Sequence, residues 1–361
     1  MEKKLRTTRT LDQFVALSPR SHLIKRPHMY LGSFQHDTRN EWIYLPETKK
    51  YQYSSITLSD AMIRVFLEIL SNAGDNVISS RNMGVSPGAI YMTMDSKRIS
   101  IKNEGEPLVL EMTKQVKPSV ILPQMLFGVM LTSNTFSNED TESRNTISCH
   151  GVGAKGTCIM SKEFIVEAGD NKRGQECRII WKDNMVLSSC DVSPGYQLDS
   201  KGEYVIKPGK KYTGENYVKV EFELDFEKFG YTEWPTEAFY LFQRYLIDTG
   251  FINKIPVYFN GEKFEVHNIK DYSKLYFDEI HNSIIHHEWI TPLTEEEKKA
   301  YKKNKDKFIA SKPPDVELIL VDTPNNGCKI GFVNGLTVPE GNHIEACYTS
   351  LLSPILEKIN G

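Results

Sequence analysis

Within residues 58–79, Glu68, Asn72 and Asn76 recur four apart, a spacing that stacks their side chains on one face of a helix. A carboxylate placed there can take a proton from an attacking water. One turn later, an amide oxygen can hold a hard cation such as Mg²⁺. Asp75 and Ser79 lie on the same side, and Met62, Phe66, Ile69, Leu70, Ala73 and Val77 form the apolar stripe opposite. Asparagine is a mediocre helix former, and this helix places two of them one turn apart. The face therefore fits a binding surface. From this helix alone, a polar cap on a core helix stays open as the alternative.

A second constellation is Gly151-Val152-Gly153-Ala154-Lys155-Gly156. It satisfies GxGxxG, but the dinucleotide version of that pattern needs a buried strand immediately before the first glycine. The residues that precede it here are polar and irregular. GxxxxGK[ST] fails as well, because Lys155 lies among the glycines and not after them. What survives is the physics common to such loops: small residues let backbone N–H groups approach an anion, a helix start adds its dipole, and Lys155 adds a charge. Residues 132–148, polar and almost without aliphatic side chains, suit a lid that closes over phosphates. A glycine-rich turn with a solvent-facing lysine is the alternative reading of the same residues.

These groups need elements to hold them. The apolar periodicity predicts a helix over 58–79, strands over 89–94 and 98–103 with a turn at Gly105, and a short helix over 123–131. Alternating residues predict strands over 177–181 and 217–224. A boundary is expected within 225–235. Beyond it come a helix over 236–249, a strand over 256–259 with a hairpin turn at Asn260-Gly261, strands over 316–321 and 329–333, and a helix over 345–359. Residues 294–307 form a charge run, read as a solvated segment with DNA-backbone contact as the alternative.

Composition narrows the field. The 361 residues suffice for two domains, and 40% hydrophobic with 25% charged residues is ordinary for a globular protein. A formal charge of −3 gives no overall basic field, so any nucleic-acid contact must be local. No run approaches membrane-spanning length, and no apolar stretch follows the charged N-terminus. The six cysteines form no CxxC pair and are read as reduced thiols. His286-His287 is the one adjacent histidine pair, and adjacent residues do not share a face of regular structure.

In order, Glu68-Ile-Leu-Ser-Asn72-Ala-Gly-Asp75-Asn76, Asn103-Glu-Gly105 and His150-Gly-Val-Gly-Ala154 resemble the three motifs of the GHKL ATPases. That superfamily includes gyrase, a heat-shock chaperone, mismatch-repair ATPases and sensor histidine kinases. Arg26-Pro27-His-Met29-Tyr30-Leu-Gly32 resembles the N-terminal RPxMYxG signature of type II DNA topoisomerases. Asp225-Phe-Glu-Lys-Phe229, Phe259-Asn-Gly261 and Gly331-Phe-Val-Asn334-Gly335 resemble the transducer of their single-chain, eukaryotic-type members. Cys149-His150 stands where eukaryotic members carry Arg-Asn, and the His-Gly-Val-Gly form is that of bacterial gyrase. Pro107 replaces the second glycine of the adenine turn. A divergent lineage, viral among the options, is expected.

The resemblance implies a fold and a set of roles. The expected fold is α/β: a GHKL-type two-layer α/β sandwich with a mixed sheet over residues 1–228, followed by a smaller α+β transducer over 229–361. Glu68 matches the general base and Asn72 the Mg²⁺ ligand, with Asn76 on the same nucleotide-facing side. Asn103 and Gly105 match the adenine turn, Ser133 and Asn134 the lid near ribose and phosphates, and Arg144 a basic lid position. His150, Gly151, Val152, Gly153 and Lys155 match the phosphate loop. ATP with Mg²⁺ is the implied cofactor pair, and duplex DNA and a second copy of the chain are the implied partners, with no membrane. Phe14 is a candidate for the arm that reaches a partner's nucleotide. The family's Gln-Thr-Lys loop has no counterpart after residue 225, so the chain is expected to end inside the transducer. The implied location is intracellular: nuclear in a eukaryote, cytoplasmic or virion-associated for a virus. The alternatives are a dinucleotide-dependent oxidoreductase using the Gly151 loop and a chaperone-like ATP switch.

Overall fold

The computed structural model describes residues 16–130, 132, 153–277, 284–289, 316–321, 329–333, 336–338 and 341–360. Two short helices, α1 (Pro19–Lys25) and α2 (His28–Leu31), lead into an antiparallel hairpin of β1 (Asp37–Leu45) and β2 (Lys50–Leu58). The long helix α3 (Asp60–Asn82) follows, then β3 (Ile90–Met94), β4 (Arg98–Glu104), the short pair β5 (Met112–Thr113) and β6 (Val120–Ile121), and α4 (Leu122–Gly128). Next come α5 (Gly153–Ile159), β7 (Ser161–Asp170), β8 (Gln175–Lys182), β9 (Val186–Ser193), a side hairpin of β10 (Tyr196–Leu198) and β11 (Tyr204–Ile206), and β12 (Tyr217–Leu224). After β12 the chain runs through α6 (Thr236–Asn253), β13 (Val257–Phe259), β14 (Glu262–Phe264) and α7 (Ile269–Ser273). The hairpins β15 (Ile284–Trp289) with β16 (Val316–Val321) and β17 (Gly331–Val333) with β18 (Leu336–Val338) precede the helix α8 (Asn342–Asn360).

Eight strands form one mixed sheet in the order β14-β13-β3-β4-β12-β7-β8-β9, with β13 parallel to β3 and the other neighbours antiparallel. Alternation along β12 makes the sheet two-sided. Val218, Val220, Phe222 and Leu224 are buried, while Tyr217, Lys219, Glu221 and Glu223 face the other way. Helices α3, α5 and α6 cover the apolar side in a single core, where Phe66 of α3 and Phe242 of α6 stack with ring centroids 3.9 Å apart. The opposite side carries an ion-pair ladder in which Arg98 meets Glu163, Glu221 and Glu223. This is the expected two-layer α/β arrangement with a mixed sheet.

Local chemistry explains the main elements. The Ser59 hydroxyl accepts the Met62 N–H and caps α3. Asn260 and Gly261 both take positive φ in the β13–β14 turn, the conformation that an Asn-Gly hairpin favours. The Asn260 amide also pairs with both backbone groups of Met94, finishing β3. Strands expected over 89–94, 98–103, 177–181, 217–224 and 256–259 and the helices over 58–79 and 236–249 are all present, with ends shifted by a few residues. The strand pairing runs across the expected division at 228/229, because β13 lies beside β3 and α6 packs on α3.

A second cluster joins the β1–β2 hairpin, α6 and α7 through Tyr44, Tyr51, Ile247, Phe251, Tyr272 and Tyr276. At its centre Asp248 accepts hydrogen bonds from the hydroxyls of Tyr51 (2.9 Å) and Tyr272 (2.7 Å). Arg244 Nε lies 2.8 Å from the same carboxylate, close for charge pairing although its N–H is not aligned for a hydrogen bond. Both charged groups are buried. Cys158, Cys177, Cys190 and Cys347 are free thiols. Among the described residues, no helix is long and apolar enough to cross a membrane.

Candidate functional site

The polar face of α3 meets the start of α5. The Glu68 side chain is 11% exposed, and its Oε1 lies 2.5 Å from Arg64 Nε one turn earlier. Its other oxygen lies so near Gly153 that a Cβ on that residue would stand 1.8 Å from it. Only glycine allows the backbone this close to the carboxylate. The tertiary fold thus brings the two constellations together. Asn72, one turn on, is half-buried and makes no side-chain hydrogen bond to the described residues. An amide oxygen one helical turn from a carboxylate is a donor set suited to a hard divalent cation, so these residue types fit Mg²⁺.

Asn76 has another task. Its Nδ2 donates to the Glu106 carbonyl at 2.9 Å, and Ser80, fully buried, donates its hydroxyl to the Asn76 carbonyl at 2.7 Å and accepts the Glu106 N–H at 2.8 Å. Between them sits Gly105 at φ +110°, where a Cβ would be 2.4 Å from Ser80 Oγ. The C-terminal turns of α3 therefore latch the turn that follows β4. Asn103, 6% exposed, closes β4 opposite Ile90 and Val218.

Lys155 is buried, not solvent-facing. Its Nζ donates to the Thr132 carbonyl at 2.5 Å, and burial lowers its pKa to about 8. The Thr132 hydroxyl in turn donates to the Val129 carbonyl at 2.9 Å, at the end of α4. The α5 helix is fixed on its other sides by the Thr157 hydroxyl on the Val65 carbonyl (2.8 Å) and by Gly156 against Leu31 of α2. The RPxMYxG segment is thereby packed against α5.

Glu68, Asn72, Asn76, Asn103, Gly105, Gly153 and Lys155 are all placed, with Glu68 and Gly153 in contact and Asn76 and Gly105 in contact. Ser133, Asn134, Arg144, His150, Gly151 and Val152 lie outside the described residues, as do Phe14 and residues 294–307. Sequence reasoning missed Arg64, Ser80, Thr132 and Thr157. Arg64 and Ser80 sit four residues from Glu68 and Asn76, a spacing that was there to be read, whereas the partners of Thr132 and Thr157 come only from the fold. The dinucleotide alternative finds no support in the topology. It needs parallel strands on either side of the glycine helix, but β7 after α5 is antiparallel to both neighbours.

No protein-family model matches the chain. It is 32% identical over 268 residues to the DNA topoisomerase 2 of Plasmodium falciparum, a match that takes in 73% of this chain and 18% of that one. The chain thus spans about a fifth of the length of the curated relatives it matches. Among solved structures, the ATPase region of Saccharomyces cerevisiae topoisomerase II superposes with a TM-score of 0.75 at 25% identity, over 97% of this chain and 82% of that one. The ATPase and transducer domains of DNA topoisomerase II from Balamuthia mandrillaris give a TM-score of 0.65 at 28% identity, over 78% of this chain and 66% of that one.

Proposed function

The chain is homologous to the ATPase region of type II DNA topoisomerases, and on that premise we propose that it binds and hydrolyses ATP between α3, the Asn103–Gly105 turn and the glycine loop. The observation that carries this reading is the contact between the Glu68 carboxylate and Gly153. It sets a proton acceptor beside the backbone that would meet the terminal phosphate. Glu68 takes a proton from water as its oxygen attacks the γ-phosphorus, and ADP leaves with the bridging oxygen. Arg64 orients the carboxylate. Asn72 would hold a divalent cation, which would supply charge compensation for the phosphate oxygens. Asn76 acts indirectly, holding the turn where Asn103 and Gly105 receive the base. Ser133, Asn134, Arg144, His150, Gly151 and Val152 complete the ribose and phosphate contacts.

In the whole protein, ATP binding joins two copies at their N-termini, with Phe14 reaching the partner's nucleotide, and closes a gate around a duplex for strand passage. Hydrolysis reopens it. Residues 229–361 act as the transducer that carries the nucleotide state onward, with the shared sheet as the mechanical link. The protein works inside the cell, wherever its DNA is held.

Glu68→Gln tests the chemistry. Turnover of ATP should fall by about 100-fold or more, the scale of general-base catalysis, while a fluorescent ATP analogue binds within a few-fold of wild type. Unchanged turnover would remove Glu68 from the mechanism.

A further inference from the structure

Among the described residues outside the nucleotide site, one cluster of ligand-type side chains stands on the β15–β16 hairpin. His286 and Glu288, two apart on β15, share a face, and Glu317 of β16 lies directly across from Glu288 in the strand register. His286 Nε2 is 2.9 Å from a Glu317 oxygen and 3.6 Å from a Glu288 oxygen. One donor atom from each residue lies within 4.8 Å of the others. His287, by the alternation of the strand, belongs to the other face.

We propose that His286, Glu288 and Glu317 form a binding site for a zinc-type divalent cation. The two His286 separations, 2.9 and 3.6 Å, bracket the spacing of ligands around one ion with bonds of about 2.0–2.2 Å. An imidazole nitrogen with two carboxylates selects zinc over Mg²⁺, which prefers oxygen alone and keeps its waters. Charge supports the site too. Two carboxylates directly opposite each other on paired strands repel, and neither meets a lysine or arginine among the described residues. Among the described residues His286 is the group that pairs with both, and a bound cation would neutralise the two carboxylates. Partial exposure leaves a path for entry: the side chains of His286, Glu288 and Glu317 are 25%, 43% and 21% exposed. Because residues 290–315 join the two strands, the ion would staple the base of that connection, where a crosslink removes loop-closure entropy.

The test is calorimetric titration of ZnCl2 into the EDTA-stripped chain with Mg²⁺ in excess and no nucleotide. One equivalent should bind, and His286→Gln and Glu317→Gln should each weaken it by about tenfold or more, with far-UV circular dichroism unchanged. Glu288→Gln, at the most exposed position, gives an independent variant least able to disturb folding. Co²⁺ substituted into the site should absorb as a nitrogen–oxygen complex without thiolate charge transfer, which separates it from binding at the cysteines. Absence of a zinc equivalent, or equal zinc affinity in wild type and all three variants, would overturn the proposal. So would a thiolate spectrum. None of these outcomes depends on ATP, so the nucleotide reading stands or falls separately.

Discussion

At the scale of single residues, Glu68 and Gly153 constrain each other. A methyl group at position 153 would stand 1.8 Å from the carboxylate, but that carboxylate is the end of a flexible side chain and can swing away. Gly153→Ala should therefore fold, with a melting temperature near that of wild type, while kcat falls about tenfold or more as the base loses its position. Steady-state ATPase assays beside a thermal melt check this, and an unchanged kcat would show that the carboxylate's place is immaterial. Lys155 offers a pH signature. Its pKa is lowered to about 8 from 10.5 by burial, so between those values the unfolded chain holds a proton that the folded chain has lost. Stability contributed by this group therefore rises with pH across that window. Lys155→Met should lack the rise, and the difference between variant and wild-type urea midpoints at pH 7.5 and pH 10 measures it.

At the scale of elements, α3 supports three neighbours at once. Its apolar side stacks on α6 through Phe66 and Phe242, its middle faces α5, and its C-terminal turns hold the turn after β4. Phe66→Ala should cost about 3–5 kcal/mol by opening a cavity between the two helices, read as a lowered urea midpoint. Gly105→Ala addresses the other end. At φ +110° and 2.4 Å from Ser80 Oγ, an added methyl strains the turn and breaks its latch to α3. Nucleotide affinity should drop with less change in kcat, the reverse of the Gly153→Ala pattern. The α3 helix and its polar face were readable because period 3.6 and the four-residue spacing coincide in one segment. The β1–β2 hairpin was not, because strands such as Lys50–Leu58 are polar and aromatic and become half-buried only against α6 and α7.

At the scale of the molecule, Asp248 ties the N-terminal hairpin, α6 and α7 together through Tyr51, Tyr272 and Arg244. Asp248→Asn leaves the buried Arg244 charge without its counter-ion and should cost about 3–5 kcal/mol. Sedimentation at fixed concentration supplies the larger test. A non-hydrolysable ATP analogue should convert monomer to dimer in wild type, and Glu68→Gln should dimerise on ATP itself. A monomer in every nucleotide state would separate this chain from the gate.

The sequence alone determined which reactive groups are at hand: a carboxylate and amides on one helix face, a glycine run with a lysine, and the order of motifs that resembles the family's. These are local patterns, written in spacing along a single segment or in short runs of residue type. Only the tertiary structure decided their geometry. It set Gly153 against Glu68, turned Asn76 toward the Gly105 turn, buried Lys155 and carried the sheet past residue 228 into β13 and β14. Each of those results depends on which distant segment packs where. The side-chain periodicity of a segment fixes which of its faces is buried, but not what will be on the other side.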